Sequence, residues 1–242
     1  MRVRLISKLE LKSNFIVKPI YFEGLRKIGE PLSISHNYYR KGIDEIIVID
    51  IVSSLYNRSI NYDLIKKLSK KIFVPLTVGG GIKTIDDVSK LLECGADKVA
   101  LNTFALQTKP KLIRLIANKF GKQCITINIE AKKIKNDWVC LSDGGRVLSK
   151  WKVVDWIKEV QDQGAGEILI QSVDRDGSGK GYDIELLQKI KKYIHIPLIV
   201  ASGAGSENDI LKMNRLIKPQ AICVSTLLHE NKLNILSTKK KI

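Results

Sequence analysis

The sequence predicts an α/β fold of the (β/α)8 TIM-barrel type, a single barrel over residues 1–242 with approximate two-fold symmetry between its halves. Three observations predict it. Short β-branched runs alternate with longer amphipathic stretches, the pattern of repeated βα units and a parallel sheet. Eight such runs can be counted, which specifies a closed barrel better than an open sheet. The chain also repeats itself at a constant shift of 122 residues: Asp44-Glu-Ile-Ile-Val-Ile-Asp50 matches Gly166-Glu-Ile-Leu-Ile-Gln-Ser172, and Val74-Pro-Leu-Thr-Val78 matches Ile196-Pro-Leu-Ile-Val200. At the same shift Gly81 falls on Gly203, Asp87 on Asp209 and Thr103 on Ser225. Copies of this length are too long for a solenoid repeat and read as two halves of one domain.

In chain order, strands are expected at 4–11, 45–50, 74–78, 98–101, 124–129, 167–171, 197–201 and 221–224. Helices are expected near 32–41, 60–71, 85–93, 110–120, 152–163, 184–193, 207–216 and 232–239. Gly42, Gly95 and Gly164 fall where helices should stop before the next strand, the usual place for a glycine cap. Pro75 and Pro197 precede strands, where a missing amide is tolerated. Two connections exceed a minimal loop. Residues 12–31 follow the first strand, and residues 132–150 follow the fifth and read as a small hairpin with Asp143-Gly-Gly-Arg146 at its turn. Both belong at the C-terminal face, where barrels of this kind carry their chemistry.

Composition narrows the function classes. Four cysteines, at 94, 124, 140 and 223, never form a Cys-x-x-Cys pair, so neither a zinc site nor a disulfide framework is expected, and a reducing cytoplasm is the plain reading. No metal or cofactor is expected. The first twelve residues alternate apolar with charged side chains, without the long apolar run of a signal peptide or membrane anchor. The formal net charge of +16 raises a nucleic-acid partner. Its lysines are dispersed, however, at 66, 67, 70 and 71, at 132, 133 and 135, and at 239–241, with no RNA-binding aromatic motif or single basic block. Solvated helix faces account for them, and the field they produce suits an anionic metabolite.

Phosphate binding is the strongest residue-level signal. Gly79-Gly80-Gly81-Ile82 follows the third strand and Ala201-Ser202-Gly203-Ala204-Gly205 the seventh, each leading into a helix start. Backbone amides at such a turn, aided by a helix N-terminus, cradle anions. The next loops supply Asn102-Thr103 and Ser225-Thr226. A matched pair of cradles points to a substrate with a phosphate at both ends. Glu10 and Glu130 end the first strand of each half and are expected to face each other across the barrel mouth, as separate acid and base if their environments push their pKa values apart. Asp50 and Asp176 end or follow strands two and six, with Gly177 beside the latter in a polar glycine-rich loop that is expected to line the second phosphate site. At the opposite rim Arg4, Glu45, Lys98 and Glu167 stand at the starts of strands one, two, four and six, a ring of two positive and two negative charges.

Taken together, these residues resemble the cyclase subunit of imidazole glycerol phosphate synthase over almost the whole chain. The resemblance rests on residues 22–31 (Phe-Glu-Gly-Leu-Arg-Lys-Ile-Gly-Glu-Pro), Gly42-Ile-Asp-Glu45, Thr77-Val-Gly-Gly-Gly-Ile82, Gly95-Ala-Asp-Lys98, Asn102-Thr103, Gly164-Ala-Gly-Glu-Ile168 and Asp174-Arg-Asp-Gly177. It implies a barrel that takes ammonia from a glutaminase partner docked at its N-terminal face. The acceptor is a bis-phosphorylated ribulosyl aminoimidazole-carboxamide ribotide, and the products are imidazole glycerol phosphate and the carboxamide ribotide. By position, the resemblance implies Glu10 and Glu130 as the catalytic carboxylates and Lys18 as the loop lysine, with Asp50 and Asp176 as strand-end aspartates. Gly80, Gly81, Asn102 and Thr103 fall in one phosphate cradle and Gly203, Ala204 and Ser225 in the other. Arg4, Glu45, Lys98 and Glu167 align with an ammonia gate, with Asp97 beside it at the docking face. None of the cysteines lies in a Gly-x-Cys-x-Gly nucleophile turn, so ammonia has to come from another polypeptide or from solution.

The departures lie where chemistry is expected. The family's catalytic pair is normally two aspartates, and here both are glutamate; one extra methylene moves a carboxylate by more than about 1 Å, a misplacement that can cost about 100-fold in rate. Lys8 replaces a small residue, and Ala201-Ser202 replaces the usual Ser-Gly of the seventh-strand cradle. Two further readings follow: a paralogue on the same scaffold that channels ammonia for amidination of a sugar in bacterial surface polysaccharide synthesis, and a non-catalytic basic scaffold.

Overall fold

The computed structural model describes residues 2–107 and 110–242. Its strands, in chain order, are β1 (Arg4–Lys12), β2 (Phe15–Ile20), β3 (Glu23–Gly29), β4 (Glu45–Asp50), β5 (Leu76–Gly79), β6 (Lys98–Leu101), β7 (Ile125–Ile134), β8 (Asp137–Ser142), β9 (Val147–Lys152), β10 (Glu167–Ser172), β11 (Leu198–Ala201) and β12 (Ala221–Val224). Eight of these, β1, β4, β5, β6, β7, β10, β11 and β12, pair in parallel around a ring that closes where β7 meets β10 and β12 meets β1. This is the predicted (β/α)8 barrel. Strands β4, β6 and β12 begin and end where the sequence places them.

The two long connections are built alike. After β1 the chain turns back as β2 and β3, and after β7 it turns back as β8 and β9, each adding an antiparallel extension above the barrel. The sequence predicts the second hairpin, with its turn at 143–146; for residues 12–31 it predicts a loop, and pairing with β1 makes a hairpin there instead. Pairing with β2 and β8 is also why β1 and β7 run past their predicted ends. Lys12 pairs with Phe15, and Ile134 with Asp137.

Local chemistry explains the remaining boundaries. Gly42, Gly95 and Gly164 have φ of +85°, +94° and +95°, the left-handed step that ends a helix without a Cβ clash. The helices Ile85–Glu93 and Glu207–Ile217 open with full capping boxes, Thr84 with Asp87 and Ser206 with Asp209. Each box satisfies two otherwise orphaned amides. These boxes stand 122 residues apart, so the internal repeat is also a repeat of structure.

Alternation along the strands sorts the interior. On β1 the inward row is Arg4, Ile6, Lys8 and Glu10; on β7 it is Thr126, Asn128 and Glu130; on β10 it is Glu167, Leu169 and Gln171. Ile6, Ile47, Ile49, Leu169, Ile199, Ala201, Ala221 and Cys223 form the apolar plug of the barrel. Leu5, Leu9, Ile46, Val48, Ile168 and Ile170 face outward and pack beneath the helices in the larger core. A charged layer therefore lies below the plug, and a polar layer with the two glutamates lies above it.

Candidate active site

The lower layer is a closed ion-pair ring. Arg4 pairs with Glu45 at 2.5 Å and with Glu167, while Lys98 pairs with Glu45 at 2.9 Å and with Glu167 at 3.1 Å. Thr77 donates its hydroxyl to Glu45 at 2.9 Å. The structure thus brings together the four residues that sequence assigned to this rim.

The upper layer holds both glutamates, buried, inside strands that continue above them rather than at strand ends. Glu10 accepts from Lys8 Nζ at 2.7 Å through one oxygen and from Lys18 Nζ at 2.9 Å through the other. Lys18 also donates to both oxygens of Asp176, at 3.1 and 3.2 Å. It lies in strand β2, buried, not in a solvated loop. Burial alone would raise the pKa of Glu10, but the two ammoniums outweigh it and hold the carboxyl down at about 2.

Glu130 is in the opposite condition. Burial pushes it up to about 7, against the charge of Lys8, the Gly145 amide and the Asn102 side chain, with the Glu10 charge adding to the rise. Its oxygens accept from Gly145 N at 2.7 Å and from Asn128 Nδ2 at 3.4 Å. One acid is held ionised and the other titrates near neutrality, the separation that acid–base catalysis needs.

Two cavities flank them. The first, about 400 Å³, is lined by Asp50, Gly80, Gly81, Asn102, Thr103 and Glu130 among others. Its glycines need their left-handed φ of +101° and +74°, and a Cβ on Gly80 would meet Asp50 O at 2.4 Å. Thr103 Oγ1 accepts from Asp143 N at 3.0 Å, and Asp50 accepts from Val52 N at 3.0 Å. The Asn102 side-chain oxygen Oδ1 is buried without a partner.

The second cavity, about 30 Å³, is lined by Lys18, Asp176, Gly177, Gly203, Ala204 and Ser225 together with Lys8. It is narrow because the β2–β3 hairpin sits on it: Tyr21 N donates to Asp176 O at 2.9 Å, and a Cβ on Gly177 would meet Pro19 O at 2.8 Å. Ser225 turns its hydroxyl to Lys8 O at 2.7 Å. Ser202 occupies the place of Gly80 in the second half and takes φ of +73°, an uncommon choice for a residue with a Cβ. Its hydroxyl reaches Asp176 at 3.3 Å.

All the sequence-assigned residues therefore gather at the two ends of one barrel. Sequence reasoning saw Lys8 only as a departure and missed its bond to Gln171, and it missed Asn128 and Gly145 as partners of Glu130. The signal was parity: Lys8 precedes Glu10 by two positions and Asn128 precedes Glu130 by two, so each shares the inward face of its strand.

Glycine-rich turns after strands β5 and β11, with two differently poised carboxylates between them, make the C-terminal face of this (β/α)8-barrel enzyme its candidate site. The histidine biosynthesis protein family model matches residues 4–234. The chain belongs to that family. It is 44% identical over 204 residues to the imidazole glycerol phosphate synthase subunit HisF of Legionella pneumophila, covering 84% of this chain and 96% of that protein. The subunit of the same name from Hydrogenobaculum sp. is 40% identical over 237 residues, 98% and 94% of the two chains. That of Staphylococcus epidermidis is 38% identical over 244 residues, 100% and 96%.

Proposed function

We propose that this chain is the cyclase subunit of imidazole glycerol phosphate synthase, acting in histidine biosynthesis in the cytoplasm. It uses ammonia to convert the bis-phosphorylated ribulosyl aminoimidazole-carboxamide ribotide into imidazole glycerol phosphate and the carboxamide ribotide. The observation that carries this reading is similarity to that subunit along nearly the full chain. The two glutamates and Ser202 depart from the family's pattern, and similarity over nearly the full chain outweighs them in favour of this reading over the sugar-amidating alternative.

The geometry supports a division of labour. Incoming ammonia must shed protons as it bonds to the carbonyl carbon, the carbonyl oxygen must leave as water, and the departing amine must gain a proton. Glu10, ionised between two lysines, is the acceptor; Glu130, which titrates near 7, returns protons. One phosphate of the substrate sits against Gly80, Gly81, Asn102 and Thr103. The other goes to Gly203, Ala204 and Ser225, and reaching them requires the β2–β3 hairpin to lift Lys18 from Asp176. Asp50 lines the wall between the first cradle and Glu130. A glutaminase partner docks at the N-terminal face, and its ammonia enters through the Arg4, Glu45, Lys98 and Glu167 ring.

Complementation tests the reading. The gene should restore growth without histidine to a strain lacking the cyclase but keeping its glutaminase. Failure by a soluble, partner-bound protein would contradict it.

A further inference from the structure

One group in the upper layer reaches beyond holding Glu10 ionised. Lys8 is 3% exposed and sits at the centre of the barrel. Besides Glu10 it donates to Gln171 Oε1 on β10. Gln171 then donates through Nε2 to Asn128 Oδ1 at 2.6 Å, and Asn128 donates through Nδ2 to Glu130 Oε1 at 3.4 Å. Glu10 and Glu130 are thus the two ends of one hydrogen-bonded chain across the barrel, Glu10–Lys8–Gln171–Asn128–Glu130. Every link is buried.

The chain has a direction, and the direction comes from Lys8. An ammonium has three donors and no acceptor, so whatever faces it must present an oxygen. That fixes the Gln171 amide with its oxygen toward Lys8 and its NH2 toward Asn128. The same logic turns the NH2 of Asn128 toward Glu130. With a neutral apolar side chain at position 8, neither amide orientation is set from that end. In a low-dielectric interior such linked dipoles reinforce one another.

We propose that Lys8 is a positioning residue that joins the two carboxylates into one unit, orienting the Gln171 and Asn128 amides so that a donor is always presented to Glu130. This deepens the proposed cyclase reading and rests on it for its catalytic meaning, but the linkage is a property of the folded chain.

Other titratable groups lie around Glu130 too. From β1 come Lys8 and Glu10, and from β8 comes Cys140. Asp50, Lys83 and Asp143 line the same cavity. Lys98 on β6 and Glu167 on β10 belong to the ring below the apolar plug. None of them is altered by the substitutions that follow, apart from Lys8.

The test is a carboxyl-carbon NMR titration of glutamate-labelled full-length protein, with Glu130→Gln used to assign the Glu130 signal. Lys8→Met removes the charge and the donors, and the Glu130 midpoint should rise by about one pH unit or more. Gln171→Met leaves Lys8 and every other charge in place and cuts only the amide relay. It too should raise the midpoint, by about 0.5 pH unit or more, because the Asn128 donor loses its orientation. An unmoved midpoint in folded Gln171→Met overturns the proposal, since Lys8 would then act through its charge alone. Should Lys8→Met not fold, Gln171→Met decides by itself. The limb of the ammonia-dependent pH–rate profile should move with the midpoint. Absence of turnover in the parent protein would sink the cyclase reading, and the titration would still decide the linkage.

Discussion

Glu10 and Glu130 are the same residue type at matching places in the two half-barrels, both buried, and their protons are held in opposite ways. Two ammoniums contact Glu10, whereas Glu130 receives only amides. Barrel symmetry supplies the matching positions, and the asymmetry comes from Lys8 and Lys18, both of which lie on the Glu10 side. The consequences for stability have opposite signs.

The raised pKa of Glu130 means the folded chain binds that proton more tightly than the unfolded one. Its contribution to stability is therefore full below the ordinary glutamate value of 4.5 and is lost as pH rises to about 7. Replacing it by glutamine removes that loss. Between pH 5 and pH 8, Glu130→Gln should gain about 3 kcal/mol relative to the parent. Urea denaturation at the two pH values reads this directly.

For Glu10 the sign reverses. Its folded pKa is depressed to about 2, so its contribution is present above 4.5 and is lost as pH falls toward 2. At pH 7, Glu10→Gln leaves Lys8 without its carboxylate partner, while Lys18 keeps Asp176. A destabilisation of about 3–5 kcal/mol is expected, as for other broken buried pairs. The variant should lie closest to the parent in acid.

The Ser202 and Gly80 pair gives a stereochemical test of the half-barrel symmetry. Both take left-handed φ, yet only Gly80 has a backbone oxygen, that of Asp50, where a Cβ would stand. Ser202→Gly should therefore be within about 1 kcal/mol of the parent, since relief of strain offsets the entropy of glycine. Gly80→Ser should destabilise by about 2 kcal/mol or more. Equal effects in thermal unfolding would show that the two turns are not distinguished by the Asp50 contact.

The lower ring separates buried from surface ion pairs. Lys98→Met leaves Glu45, itself 1% exposed, with Arg4 as its remaining cation and should cost about 2–4 kcal/mol. Lys133→Met breaks an exposed pair with Glu185 and should cost less than about 1 kcal/mol. Salt should weaken the second effect and leave the first largely intact.

Much of this was legible in the sequence because periodicity and turn chemistry are local. Gly42, Gly95 and Gly164 mark helix ends through their own backbone needs, and the 122-residue repeat carries the barrel symmetry. The carboxylates, cradles and lower ring followed from strand ends and from resemblance. The hairpin of β2 and β3 was not legible, since residues 15–29 show neither strict alternation nor a tight turn signal and owe their pairing to β1. Lys18 read as a loop lysine for the same reason. The relay through Lys8, Gln171 and Asn128 joins strands far apart in sequence, so it appears only once the barrel closes β7 onto β10.

The most direct test of the central claim is steady-state turnover of the purified chain with an ammonium salt and the bis-phosphorylated ribotide. Imidazole glycerol phosphate and the carboxamide ribotide should form in equal amounts, with a pH–rate limb near 7 from Glu130, and Glu130→Gln should lose about 100-fold or more in kcat. A folded parent protein that binds the ribotide and forms neither product would contradict the account.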